Sequence, residues 1–418
     1  MNNRQHSPSF GEQDNDVEVL QRAPLAGASR GQQSTRWSAR RRRNALLLLG
    51  ALLLGVVTIY TLSLGSVRPS GQANGTQPGT PLATETLVRS TPPPALSETG
   101  EFREFPLPQS DSQLMRPAID HEGRLWFGEM GRNFLAVFDP QTQMFQQMTP
   151  PRGRSGVMSV QVASDDTIWF VEQYANYIGH YFPGTERYQV YPLPTLAVPD
   201  PSHAGKTLTL PSAPNELALD AHSSTVWFTE LNADALGRLD PGTGRVQQYP
   251  LSTKRSVQTL LPYGVTIDAL GMIWFTEVSG DRIGRLDPAT GHIRLFTPPR
   301  PDMLPMEIAS DAHGIIWVTS FNGGLLLRLD SRTGAFTPFH TPFSGPDTGG
   351  LYGLAVTPAG EIWVTILAQN AIARLDVGAH RFLSYAIPSS GSEPLGIVMG
   401  VNHTLWFTEI DKIGMLRP

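Results

Sequence analysis

PYGVTIDALGMIWFTEVSGDRIGRLDPATGHIRLFTPP runs from Pro262 to Pro299 and contains four strand-like pieces in succession. GVTID, MIWFTE, RIGRLD and HIRLFT are short and rich in β-branched, aromatic and other apolar residues, which suit a pleated, half-buried surface. The breaks between them are turn chemistry. Asp268 to Gly271 and Asp287 to Gly291 each pair an Asp that binds nearby backbone amides with a Gly that accepts positive φ. The unit recurs. GRLDPGTG stands at 237–244, LRLDSRTG at 327–334 and ARLDVGAH at 373–380. Seven tryptophans mark the repeat: Trp126, Trp169, Trp227, Trp274, Trp317, Trp363 and Trp406, spaced by 43, 58, 47, 43, 46 and 43 residues. A period of about 40–45 residues built from short strands is the signature of propeller blades. The sequence therefore predicts an all-β, seven-bladed propeller of four-stranded blades over residues 101–418.

The ends of the array fit together. The last unit stops after its third strand, at IGMLRP, and an orphan piece, Phe102 to Pro108, precedes the first unit. It resembles the fourth strand QQYPLS at 247–252, so the N-terminal strand is expected to complete the last blade and remove the exposed sheet edges.

This topology sorts residues by face. First strands begin, and second strands end, on a top face; the hairpin turns of each blade lie below. The first-strand starts, Met115, Met158, Asn215, Tyr263, Met306, Tyr352 and Leu395, should ring the upper mouth of the central channel. That ring is mostly apolar and adaptable, and is expected to bind a hydrophobic small molecule or a cyclic peptide, unless it merely plugs the mouth. Three residues after each Trp stand Glu129, Glu172, Glu230, Glu277, Ser320, Ile366 and Glu409. The repeated Glu suits a carboxylate that accepts hydrogen bonds from loop amides, or in pairs a hard cation such as Mg²⁺. Most histidines fall in bottom turns. His203 lies in the longest insertion, LAVPDPSHAGKTLTLP at 196–211, which accounts for the 58-residue spacing and is long enough to fold over the mouth. Arg152, Arg154, Lys206, Lys254, Arg255 and Arg300 place a basic rim on the upper loops.

The N-terminal quarter is of another kind. Residues 1–39 are polar and unpatterned, and with the arginines at 40–43 they form a disordered basic tail over 1–43. From Arg43 to Arg68 the chain carries no charge, and this 24-residue apolar run exceeds the roughly 20 residues that span a bilayer. Residues 44–67 are thus expected to form an uncleaved transmembrane helix, with 1–43 cytoplasmic and the propeller outside a plasma membrane. Residues 68–100, rich in Pro, Gly, Ser and Thr, form the linker. With no Cys among 418 residues, disulfides, Cys-ligated zinc and a thiol nucleophile are excluded. Residues 1–43 hold eight Arg against four acids, a balance of +4, so with −5 overall the remainder carries −9. That disfavours nucleic acid as a partner of the body, which is expected to be a single monomeric propeller.

The repeated IWFTE, RIGRLDP and YPLP segments resemble the streptogramin B lyases (virginiamycin B lyases) across residues 101–418. The resemblance implies opening of a cyclic depsipeptide by β-elimination, with a histidine as general base and Mg²⁺ stabilising the enolate. In the family the base lies in a Glu-Pro-His-Gly stretch opening the last blade. Here that stretch is Glu393-Pro394-Leu395-Gly396, so the metal carboxylate is kept and the base is leucine. Glu409 matches the family's second metal carboxylate, and Tyr352 stands where the preceding blade carries a substrate-contacting histidine. A replacement base would have to be Tyr352 or His203. Two readings follow: a membrane-anchored binding propeller without lyase chemistry, or a Mg²⁺-dependent carbon–oxygen lyase with a base foreign to the family. A metal-dependent lactone hydrolase ranks below both.

Overall fold

The structure is a computed structural model that describes residues 98–200, 203, 205–221, 223–252, 260–341 and 350–418, with the backbone of Val17–Val19 and Leu96–Ser97. The expected membrane helix, nearly all of the tail and most of the linker lie outside the described residues, as do Lys254 and Arg255. Among the described residues no helix is long and apolar enough to cross a membrane.

Pro262–Ile267, Ile273–Glu277, Arg282–Leu286 and Ile293–Phe296 form one antiparallel blade, blade 4, as the quoted stretch requires. Its turns close as the sequence implies. Asp268 Oδ1 accepts from the amides of Leu270 and Met272, and Gly271 takes φ +77°. The second strand is buried throughout because blades cover it on both faces. The third strand holds Gly284 because a Cβ there would lie 2.0 Å from the Phe275 ring.

Six further blades repeat this order. Their second strands are Leu125–Glu129 (blade 1), Ile168–Glu172 (blade 2), Val226–Glu230 (blade 3), Ile315–Ser320 (blade 5), Ile362–Ile366 (blade 6) and Leu405–Thr408 (blade 7). Each Trp packs on the next blade. Trp317 joins Ile362 and Val364, and Trp406 of blade 7 joins Leu125 and Phe127 of blade 1. Closure is as expected: Glu101–Pro106 pairs antiparallel with Lys412–Arg417, from Glu101 opposite Arg417 to Pro106 opposite Lys412. Two short pieces add parallel outer edges, Leu96–Ser97 to blade 6 and Val17–Val19 to blade 4. The long insertion is a hairpin of its own, Thr195–Pro199 against Thr207–Pro211, anchored by buried Leu196 and Val198.

One irregularity shapes the axis. In blades 2 to 6 the first strand pairs at its first residue and then slips by one against the second strand. In blade 3, Asn215 and Glu216 together oppose Thr229. Such a bulge re-aims side chains, so two consecutive residues of each inner strand can serve the channel.

Candidate functional site

The seven first-strand starts do converge, and they close the channel. Met115, Met158, Tyr263, Met306, Tyr352 and Leu395 belong to one buried cluster, together with Met130, Leu231, Val278 and Phe321 from just beyond the second strands. Asn215 is buried with them. Its Nδ2 donates to the Tyr263 carbonyl at 3.1 Å, and its Oδ1 accepts from Gln173 at 3.3 Å. The ring is therefore a packed plug rather than an open mouth. Met, Tyr, Asn and Leu side chains from seven strands together fill the axis. Tyr174, Leu261, Leu304 and Leu367 pack on the plug while only partly buried. They form the apolar surface of the top face, with Arg152, Arg154, Lys206 and Arg300 exposed.

Tyr352 is a poor base in this setting. Its hydroxyl lies 2.6 Å from that of Tyr263, and both rings are fully buried. Burial raises the Tyr352 phenol well above its ordinary value, with Tyr263 adding to the shift, and pushes Tyr263 up to about 12. His203 is brought to a different place, the exposed tip of the insertion hairpin, where its Nδ1 lies 3.0 Å from Asp200 Oδ2. Its side chain is 62% exposed there.

The repeated Glu after each second strand is buried in the blades, not exposed on the channel. Glu129, Glu172, Glu230 and Glu277 are wholly buried. The loop amides expected to serve them are not their partners. Gln147 and Ser112 donate to Glu129, Gln248 to Glu230 and Arg282 to Glu277. Neither oxygen of Glu172 has a hydrogen-bond partner among the described residues. Burial pushes Glu172, Glu230 and Glu277 up to about 7.

Glu393 and Glu409 meet the solvent differently. Glu393 is exposed at φ +49°, while Glu409 is 1% exposed and burial pushes it up to about 7. Glu409 lies against Ser392, the neighbour of Glu393, and its Oε2 is 3.8 Å from Lys412 Nζ. A cation at Glu409 would share the carboxylate with that ammonium. Among the described residues no three His, Asp or Glu side chains gather into a metal-binding group. The two carboxylates so placed do not by themselves fit a Mg²⁺ ion, which demands near-ideal octahedral oxygen geometry.

A group that the sequence reading passed over lies one residue below the plug. Arg116 follows Met115, Glu216 follows Asn215 and Glu307 follows Met306. Arg116 Nε donates to Glu307 Oε1 at 2.6 Å, and Nη2 pairs with the same oxygen. Glu216 Oε2 is 3.5 Å from Nη2 and accepts from the Val265 amide. The guanidinium also sits 5.0 Å from the centre of the Tyr263 ring. Blades 1, 3 and 5 are thus joined across the axis by a buried ion triad. The available signal was its position: three charged residues each directly behind a ring residue.

A model of the virginiamycin B lyase family matches residues 214–417. The fold matches a solved streptogramin B lyase at 27% identity and a TM-score of 0.66, covering 76% of this chain and 97% of that one. It matches virginiamycin B lyase from Staphylococcus aureus at 25% identity and a TM-score of 0.66, covering 77% and 100%. A catalytically inactive form of that enzyme, solved with quinupristin, matches with the same figures of 25%, 0.66, 77% and 100%. No curated protein sequence matches the chain. In fold throughout the propeller, and in sequence over residues 214–417, the chain is a virginiamycin B lyase-like β-propeller.

Proposed function

We propose that this chain is a binding propeller that holds a cyclic peptide or comparable apolar ligand on the face carrying Leu395, without opening it. One observation carries the reading: the position expected of the general base is Leu395, and the nearest replacement, Tyr352, spends its buried hydroxyl on Tyr263. Leucine accepts no proton, and loss of a general base costs on the order of 10²–10⁴ in rate. The partly exposed Tyr174, Leu261, Leu304 and Leu367 offer the apolar contact area.

The test uses the full-length protein with a streptogramin B antibiotic, with and without Mg²⁺, followed by chromatography coupled to mass measurement. The expected result is saturable binding of an unaltered antibiotic, weakened at least tenfold by Leu304→Asp, since a buried charge opposes apolar contact. Conversion to a product of unchanged mass, abolished by EDTA and by Glu393→Gln, would instead establish the Mg²⁺-dependent lyase. Retention of Glu393 and Glu409 in the sequence motivates that second reading, although the two carboxylates do not by themselves complete a Mg²⁺ site. Tyr352→Phe and His203→Ala would then locate the base.

The propeller is also proposed to be monomeric and tethered outside a plasma membrane through residues 44–67, a reading supported by the charge-free run after Arg43. The pairing of Val17–Val19 with Ile293–Leu295 runs against it, because a tail inside the membrane cannot touch a blade outside. Protease protection in sealed vesicles separates the two: a shielded tail with a digestible propeller linker supports the tether.

A further inference from the structure

The plug divides the axis, and beneath it the inner strands of all seven blades enclose a cavity of about 940 Å³ that opens toward the first-hairpin turns. Cavities of roughly 300–1,000 Å³ are the usual size for small-molecule sites. This one lies on the face opposite Tyr174, Leu261, Leu304 and Leu367, and no residue of the plug ring borders it. Arg116, Glu216 and Glu307 form its floor, and Asp165 and Asp220 stand at its wider end. Carboxyl groups thus outnumber the single guanidinium among the lining residues. A narrow channel with low-dielectric walls concentrates such an imbalance and draws in cations.

Glu216 is the more weakly paired carboxyl of the floor. Arg116 is engaged chiefly with Glu307, leaving Glu216 at 3.5 Å. Two residues that border the cavity, one in its floor and one in its wall, also hold a buried nitrogen without a partner among the described residues. His180 is 9% exposed, stacked 3.7 Å from Trp169, and its Nε2 has no hydrogen-bond partner among the described residues. Arg116 is 8% exposed, and its Nη1 likewise has none. A buried polar group left unpaired costs free energy that a ligand or ordered water recovers. From this arrangement we propose that the lower cavity is a second ligand site, for a small molecule carrying a protonated amine together with hydroxyl or carbonyl oxygens. The amine meets Glu216, and an oxygen accepts from Arg116. His180 supports the same chemistry: burial holds it near 4, so its imidazole is neutral and adds no competing charge. Burial likewise lifts Glu216 to about 8, with Glu307 adding to the shift against Arg116. An incoming ammonium therefore replaces a proton there. The titratable groups facing Glu216 are Arg116 and Glu307. The site stands independently of any ligand on the Leu395 face.

Isothermal titration of the full-length protein in detergent at neutral pH tests it. The amines are glucosamine, ethanolamine and lysine amide; glucose and succinate are the neutral and anionic controls. At least one amine is expected to bind while both controls fail. Glu216→Gln should weaken that binding tenfold or more. Because Glu216→Gln can unsettle the floor, its unfolding midpoint is measured alongside. Asp165→Asn, at an exposed turn, provides the second variant, with an expected loss of about threefold from one partly screened charge. Failure of all three amines overturns the proposal. So does glucose binding as well as glucosamine, or amine binding indifferent to both variants.

Discussion

Trp363 lacks a hydrogen bond that three of its counterparts make. Trp126, Trp274 and Trp317 each donate Nε1 to an Asp six residues earlier: Asp120 at 2.8 Å, Asp268 at 2.7 Å and Asp311 at 3.0 Å. In blade 6 that position is Thr357, and Trp363 Nε1 is buried without a partner among the described residues. Thr357→Asp should supply the missing acceptor while keeping the turn bond to the Glu361 amide. The expected gain is about 1 kcal/mol, a rise of a few degrees in the thermal midpoint, because a buried N–H regains its partner. A fall in the midpoint would mean that desolvating the carboxylate outweighs the new bond. Glu172 makes the opposite case, a buried carboxyl with no partner among the described residues. Its folded value of about 7 lies above the ordinary 4.5, so the folded state holds its proton longer than the unfolded chain does. The resulting stability is fully present below about 4.5 and is lost as pH rises to about 7. Glu172→Gln should therefore flatten the fall in thermal midpoint between pH 5 and pH 8, with the greater benefit at pH 8. At this scale the sequence disclosed the Trp and Glu positions through their spacing alone. It did not disclose that the Glu side chains turn into the blades, because burial depends on the neighbouring blade, which no single repeat contains.

The recurring element is the bulged inner strand, and a threonine two residues after the Trp secures it. Thr229, Thr276, Thr319 and Thr365 donate to the carbonyls of Tyr263, Met306, Tyr352 and Leu395 of the following blade, at 2.7–2.8 Å. Each hydroxyl also accepts from an amide of its own inner strand, as Glu307 does to Thr319 at 3.1 Å and Gly353 to Thr365 at 2.7 Å. One hydroxyl thus satisfies the amide freed by the bulge and fixes the next blade. It places the plug residue and the residue beneath it. Replacing Thr319 with Val preserves shape but orphans a buried amide and a buried carbonyl. The expected loss is roughly 2–4 kcal/mol, read by chemical denaturation, since each orphaned group costs about 1–3. Thr319→Ser, which keeps the hydroxyl, should lose much less. The WFT pattern is visible in several repeats, but nothing in it marks the bulge. A one-residue slip has no compositional mark when Thr is also a good strand former. The sequence reading left both a ligand mouth and a plug open, and the structure has a plug with an ion triad behind it.

At the scale of the molecule, the ring is closed by one strand drawn from the far end of the chain. Glu101–Pro106 supplies the outer strand of blade 7, and Phe105 packs against Phe138 and Trp406, tying blade 7 to blade 1. Lys412 reinforces the seam through Glu104 at 3.1 Å and Ser389 at 3.0 Å. This closure was legible because the last repeat is one strand short and the orphan segment matches the missing strand. Its energetic role follows from geometry. Blades that contact only their neighbours fold as a chain of interfaces, and in a closed ring every interface is supported from both sides. Removing residues 1–97 leaves the seam intact, so the remaining propeller should unfold in one transition near the full-length midpoint. Removing residues 1–107 deletes the closing strand and Phe105 and exposes the Lys412–Arg417 edge. The shorter protein should unfold at a markedly lower temperature, without a single cooperative transition, and aggregate through that edge on size exclusion. Adding the peptide of residues 99–108 in excess should restore much of the lost midpoint, because it binds only the folded edge. If both truncations behave alike, the ring draws its stability from the other six interfaces, and the closing strand serves only to cover an edge.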